Sequence, residues 1–230
     1  NGIIKIGSTP TTPTIIDDNL IIGSIRPSIE VYDVYSGNLK WKYYLRETNF
    51  DLLNLADFKG GTPWGGISSD NKNGILYLTT GNAEPYLVGV KRPGKNLFTN
   101  SVIAFDIRNK KLLWYFQETC HDLWNYDIAG PPILTTINKY GKRIDVVVAV
   151  TKLGNTIILD RLTGELIFDF EKKLAPTSKF PGEKTCPYQP SVKIPEPFAR
   201  NEFNLDQVTN KSEKDNEYIL KQLKNSNYGF

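Results

Sequence analysis

The sequence predicts an all-β chain of stacked four-stranded antiparallel units, arranged radially as a propeller or linearly as a solenoid. Three observations carry that prediction. The segments VYDVYSGNLKW (31–41), AFDIRNKKLLW (104–114) and ILDRLTGELIF (158–168) align without gaps. Short apolar runs of strand length recur between turn signals. Helical periodicity is confined to one segment near the C-terminus.

The first strand reads over Leu20–Gly23, followed by the first repeat. In each repeat an Asp ends a strand: Asp33, Asp106 and Asp160. Its carboxylate can accept backbone N–H groups of a turn. Four residues on comes a turn position, Gly37, Lys110 or Gly164, and eight residues on an aromatic, Trp41, Trp114 or Phe168. That pattern is a hairpin whose return strand presents a large ring to a neighbouring unit. One hairpin cannot bury its face alone, so the units must stack. Further strands read at Ile75–Thr79 and Asp145–Thr151. The stretch Pro181–Pro197 is expected to be an extended surface loop, because proline interrupts regular structure. Residues 212–225 read as a helix, with Ser212 as N-cap, Asp215 at the capping-box position, and Ile219 and Leu223 on one face.

The 230 residues carry 40% apolar and 23% charged side chains, the composition of a chain with a real core. A net charge of +3, with scattered Lys and Arg, argues against a nucleic-acid partner. The longest apolar run, Val146–Val150, is strand length and far short of the roughly 20 residues of a membrane helix. The abrupt ends and lack of methionine suggest an internal piece of a longer protein, read over 1–230 as one partial domain. Cys120 and Cys186 form no CxxC motif; spacing does not decide whether they pair.

With a single histidine, His121, a two-His metal site is out of reach within these residues. Chemistry must come from polar residues beside glycines and tryptophans: GGTPWGG (60–66), TTGNAEP (79–85), HDLWNYD (121–127) and TKLGN (151–155). Each borders a strand, and radial folds bring equivalent strand ends to one mouth. Trp64 can stack on a ligand or serve as another inter-unit aromatic. Asn82 can ligate a hard cation or cap a turn. Lys152 can pair with a carboxylate or an anionic ligand, or snorkel to solvent. In HDLWNYD, Asp122 can orient His121 within a polar network.

Together the segments GGTPWGGISSD, LYLTTGNAEP, NSVIAFDIRNKKLLWYFQETCHDLWNYDIAGPPIL, TKLGNTIILDRLTGELIFDF and YQPSVKIPEPFAR resemble, in order, those of the pyrroloquinoline quinone (PQQ)-dependent dehydrogenases. The resemblance is nearest to the membrane glucose dehydrogenase type and covers essentially the whole chain. It implies part of an eight-bladed propeller with tryptophan-docking motifs. It also implies PQQ with a divalent cation, usually calcium rather than a lanthanide. By that resemblance Trp64 lies beneath the cofactor ring and Thr62 lies close by. Asn82 ligates the metal, and Lys152 bonds the quinone oxygens. The implied reaction oxidises a sugar or alcohol hydroxyl and passes electrons to ubiquinone or cytochrome c. The implied location is periplasmic, with membrane association through parts outside this chain.

One departure stands out. Where the family carries an aspartate base, this chain has Asn125, and an amide cannot take a proton at neutral pH. Asp122 or Asp127 is then the candidate base. Asp127 also matches a position where lanthanide-using relatives place a further metal ligand. His121 matches one of a histidine pair, and Cys120 replaces the other. A non-enzymatic propeller that shares the docking repeats and binds other proteins is the alternative reading.

Overall fold

The computed structural model describes residues 11–25, 27–46, 60–200 and 203–224. The first sheet runs in the order β1 (Thr14–Ile16), β2 (Asn19–Ser24), β3 (Ser28–Asp33), β4 (Leu39–Tyr44). The second runs β5 (Ile67–Asp70), β6 (Ile75–Thr79), β7 (Ser101–Asp106), β8 (Lys111–Gln117). In the third sheet, β10 (Lys142–Val150) lies between β9 (Ile133–Lys139) and β11 (Thr156–Asp160). A two-stranded ribbon, β12 (Phe170–Leu174) with β13 (Tyr188–Val192), and the helix α1 (Glu213–Lys224) follow. All the strand pairings are antiparallel.

The repeated aspartates are the last residues of β3, β7 and β11. Each carboxylate closes its turn. Asp33 accepts the Tyr35 and Ser36 N–H groups, Asp106 that of Asn109, and Asp160 those of Leu162 and Thr163. The position four residues on is left-handed in all three, with φ of 71° at Gly37, 53° at Lys110 and 72° at Gly164. Glycine suits that conformation, and Lys110 adopts it without that freedom.

Stacking follows from alternation. In β6 and β7, Leu76, Leu78, Ile103 and Phe105 face the first sheet, while Tyr77, Val102 and Ala104 face the third. A sheet buried on both faces reads as an apolar run, as these strands do. The tryptophans dock between units. Trp41 stacks on Phe105 with 6.0 Å between ring centroids, beneath the Lys110 ammonium. Trp114 donates from Nε1 to the Arg161 carbonyl at 3.2 Å, with its ring against Gly164. The result is a partial β-propeller, as the repeats predict.

Two sequence expectations need amendment, and one question left open by the sequence is answered. In the third repeat the return strand shrinks to one bridge, Leu159 with Leu166, and Phe168 belongs to no strand. Lys139 takes the Ile167 carbonyl and covers the Phe168 ring, drawing the chain off the ladder. The proline-rich stretch does contain a strand, β13, in which Pro190 lies opposite Lys172. A two-stranded ribbon has free outer edges, so a residue lacking N–H is tolerated there. Finally, Cys120 and Cys186 form a disulfide, with Cα atoms 5.7 Å apart. In α1, Asp215 N–H does bond Ser212 Oγ at 3.1 Å, but no helix residue is buried, and Ile219 and Leu223 are half-covered.

Candidate active site

Segments distant in sequence meet at the strand ends. Gly60 bridges to Ala83, Gly61 N–H bonds the Asn82 carbonyl at 2.8 Å, and Gly81 N–H bonds the Thr62 carbonyl at 3.0 Å. Thr62 Oγ1 in turn donates to the Ile25 carbonyl in the first blade. Residues 127–128 lie on the other side of the same segment, where Asn82 N–H donates to Asp127 Oδ1 at 2.7 Å. A Cβ on Gly81 would lie 2.5 Å from Trp64 Nε1 and 2.7 Å from Asp127 Oδ1. Only glycine lets the backbone pass between an indole and a carboxylate so closely. Trp64 remains 40% exposed, unusual for so large an apolar ring.

The turn after β10 brings Lys152. Its ammonium lies 2.8 Å from Asp127 Oδ2 and 2.8 Å from the Asn125 carbonyl, and its N–H reaches the Asp127 carbonyl at 3.3 Å. Asp127 is buried, whereas the Lys152 side chain is 45% exposed and offers its charge to the mouth. Thr62, Trp64, Asn82, Asn125, Asp127 and Lys152 therefore form one cluster. Asn82 is buried and its side chain is held locally: Oδ1 accepts Ala83 N–H at 2.7 Å, and Nδ2 donates to the Tyr86 carbonyl. A carbonyl oxygen with one bond retains a lone pair for a cation.

The loop 119–127 divides in two. Its first half is turned inward. Asp122 is fully buried and accepts Trp124 N–H at 2.7 Å, Tyr126 N–H at 2.6 Å and Asn100 Nδ2 at 2.7 Å. Burial pushes its acidity toward the protonated form, opposed by those three bonds and by Arg92, whose own guanidinium burial destabilises. His121 is also buried, with Nδ1 at 2.7 Å from the Gly94 carbonyl and Nε2 at 3.3 Å from Glu183. Asp122 and His121 thus brace the loop, together with the disulfide and with Gln189, which bonds the Cys120 backbone through both ends of its amide. The second half faces Lys152. Asn125, at φ 65°, gives its carbonyl to that ammonium, while its buried Oδ1 has no partner. Gly81, Asn100 and Glu118 lie within motifs read from the sequence but gave no sign of their supporting roles, which depend on contacts between distant segments, and Arg92 lies outside those motifs.

The cluster can be tested against the cofactor that the resemblance implies. A half-exposed indole face and a cation at the mouth suit a planar, anionic, oxygen-rich molecule. For the metal, the site supplies oxygen donors at Asn82 and Asp127. Among the described residues no group of three or more His, Cys, Asp or Glu could hold an ion unaided. A hard cation takes about 6–8 oxygens, so the remaining donors must come from the cofactor and from outside these residues.

Residues 6–230 match the family model described as PQQ: Glucose/ethanol/alcohol dehydrogenase, beta-propeller domain. The chain belongs to the PQQ dehydrogenase propeller family. It is 30% identical over 197 residues to the quinoprotein glucose dehydrogenase of Escherichia coli (strain K12), covering 79% of this chain and 25% of that protein. It is 32% identical over 199 residues to quinoprotein glucose dehydrogenase A of Acinetobacter calcoaceticus, covering 78% of this chain and 24% of that one. The solved quinohemoprotein alcohol dehydrogenase from Comamonas testosteroni superposes with a TM-score of 0.60 at 26% identity, covering 81% of this chain and 31% of that structure. The chain thus spans about a quarter of the length of the curated relatives it matches. Among the described residues of this family member, no helix is long and apolar enough to cross a membrane.

Proposed function

We propose that this chain supplies part of the catalytic mouth of a PQQ-dependent dehydrogenase that oxidises a hydroxyl of a sugar or simple alcohol. The observation that carries the reading is the joining of Trp64, Asn82, Asp127 and Lys152 around Gly81. When bound, PQQ with its divalent cation supplies a polarised carbonyl that accepts hydride. Calcium is the proposed cation, with the Asn82 side-chain carbonyl as its protein ligand among these residues. Trp64 offers the stacking face, and Thr62 sets the backbone beside it. Lys152 presents a positive charge to the quinone oxygens.

The proton of the substrate hydroxyl needs an acceptor. Asn125 is an amide, and Asp122 is fully buried and bonded by three donors. The Asp127 carboxylate, also bonded through both oxygens, keeps 10% of its side chain exposed beside Lys152. Asp127 is the carboxylate that stands at the mouth, and we assign it the role of base, with Lys152 holding it in place. Electrons would pass to ubiquinone or a cytochrome c in the periplasm, with any membrane anchor lying in other parts of the protein.

The test uses the full-length protein reconstituted with PQQ and Ca²⁺, followed by cofactor absorbance and dye reduction with glucose and alcohols. Turnover that Asp127→Asn abolishes supports the reading. Cofactor binding without turnover, restored by Asn125→Asp, would remove Asp127 as base. Failure to bind the cofactor would overturn the reading and leave a protein-binding propeller.

A further inference from the structure

Glu118 is a carboxylate of this region that the proposed chemistry leaves unused, and it is fully buried. Its Oε1 accepts two hydrogen bonds, from Thr151 Oγ1 at 2.9 Å and from Asn155 Nδ2 at 2.9 Å. Those donors are the first and last residues of the turn that carries Lys152. The turn also closes on itself, with Thr151 N–H to the Asn155 carbonyl at 3.0 Å and Gly154 N–H to the Thr151 carbonyl at 2.9 Å. On its outer side Gly154 gives its carbonyl to Phe198 N–H and packs on Ala199. Glu118 is the anchor on the inner side, and its own N–H is fixed to the Asn100 carbonyl at 2.9 Å.

We infer that Glu118 is a positioning residue: by tying both ends of the 151–155 turn it holds the Lys152 ammonium on Asp127 and on the Asn125 carbonyl. The inference rests on the role proposed for Lys152. Lys152 has a long, flexible side chain and is nearly half exposed, so its aim depends on where its backbone is held. Burying a carboxyl group is costly unless it makes hydrogen bonds. Here a single oxygen takes both bonds, while Oε2 has no partner. That asymmetry predicts which replacement works. An amide carbonyl can accept the same two bonds, so Glu118→Gln should keep the turn, whereas Glu118→Ala removes the anchor.

The test compares full-length Glu118→Ala, Glu118→Gln and wild type in crystal structures without cofactor and in PQQ titrations with Ca²⁺. In Glu118→Ala, Lys152 should lie beyond hydrogen-bonding distance of Asp127, with cofactor affinity about tenfold weaker, the scale of one charge-assisted hydrogen bond. Glu118→Gln should retain both the contact and the affinity. An unmoved Lys152 in Glu118→Ala, or equal displacement in both variants, overturns the inference. Where Glu118→Ala fails to fold, Thr151→Ala removes one of the two bonds and should displace Lys152 partially; no displacement there is equally fatal. A displaced Lys152 with unchanged PQQ affinity upholds the positioning role and instead removes Lys152 from the cofactor site.

Discussion

The Lys152 ammonium lies 2.8 Å from one oxygen of Asp127, whose other oxygen is 2.7 Å from the Asn82 N–H. One carboxylate therefore joins the strand-end segment of the second blade to the turn of the third. Replacing it by an amide keeps the shape and removes the charge. Asp127→Asn should destabilise the protein by about 2 kcal/mol, the scale of losing bonds to a charged group, read by chemical denaturation. If Asp127 is the base, dye reduction should fall by about 100-fold or more in the reconstituted protein.

Trp64 is exposed for its size and sits against Gly81. Trp64→Ala should weaken PQQ binding by about tenfold or more and, because only 40% of the residue is exposed, also destabilise the protein by roughly 2–3 kcal/mol. Cofactor titration and thermal melting measure the two effects separately. Unchanged affinity would take Trp64 out of the site.

Gly164 and Gly141 both have left-handed backbones, at φ 72° and 75°, but their surroundings differ. A Cβ at Gly164 would meet Trp114 ring atoms from 2.5 Å, while at Gly141 nothing lies within 4 Å. Gly141→Ala should cost about 1 kcal/mol for backbone conformation alone. Gly164→Ala should cost about 3 kcal/mol, because the docked tryptophan must also move. Equal losses in denaturation would mean that the docking contact contributes nothing.

Burial pushes the Glu118 carboxyl from 4.5 up to about 7, with the charge of Asp122 adding to it and the Asn155 and Thr151 bonds opposing it. Below pH 4.5 both folded and unfolded forms are protonated at this group. Between 4.5 and about 7 the unfolded form releases its proton first, so Glu118 makes stability fall as pH rises, levelling above about 7. The full effect is on the order of 3 kcal/mol. Stability of wild type relative to Glu118→Gln, measured from pH 4 to about 8, should show that decline. A flat difference would mean that Glu118 is ionised as easily in the fold as out of it.

The sequence by itself determined the hairpins. An Asp at a strand end and a left-handed position four residues on act within one turn, so Asp33, Asp106 and Asp160 announce their roles locally. It also determined the family, because several distinctive segments occur in one order along the chain. It did not reveal the shortened third return strand, since Lys139, from another strand, competes for the Ile167 carbonyl. Nor did it show the β13 strand, where pairing to β12 overrides what the prolines suggest in isolation. Within HDLWNYD, two aspartates look alike on paper. Only the tertiary structure turns Asp122 into the protein, where loop amides saturate it, and Asp127 toward Lys152. The difference lies in which donors lie nearby. Asp122 is held by amides of its own loop and by Asn100. Asn82 and Lys152, the donors on Asp127, come from chain segments that meet only when the blades stack.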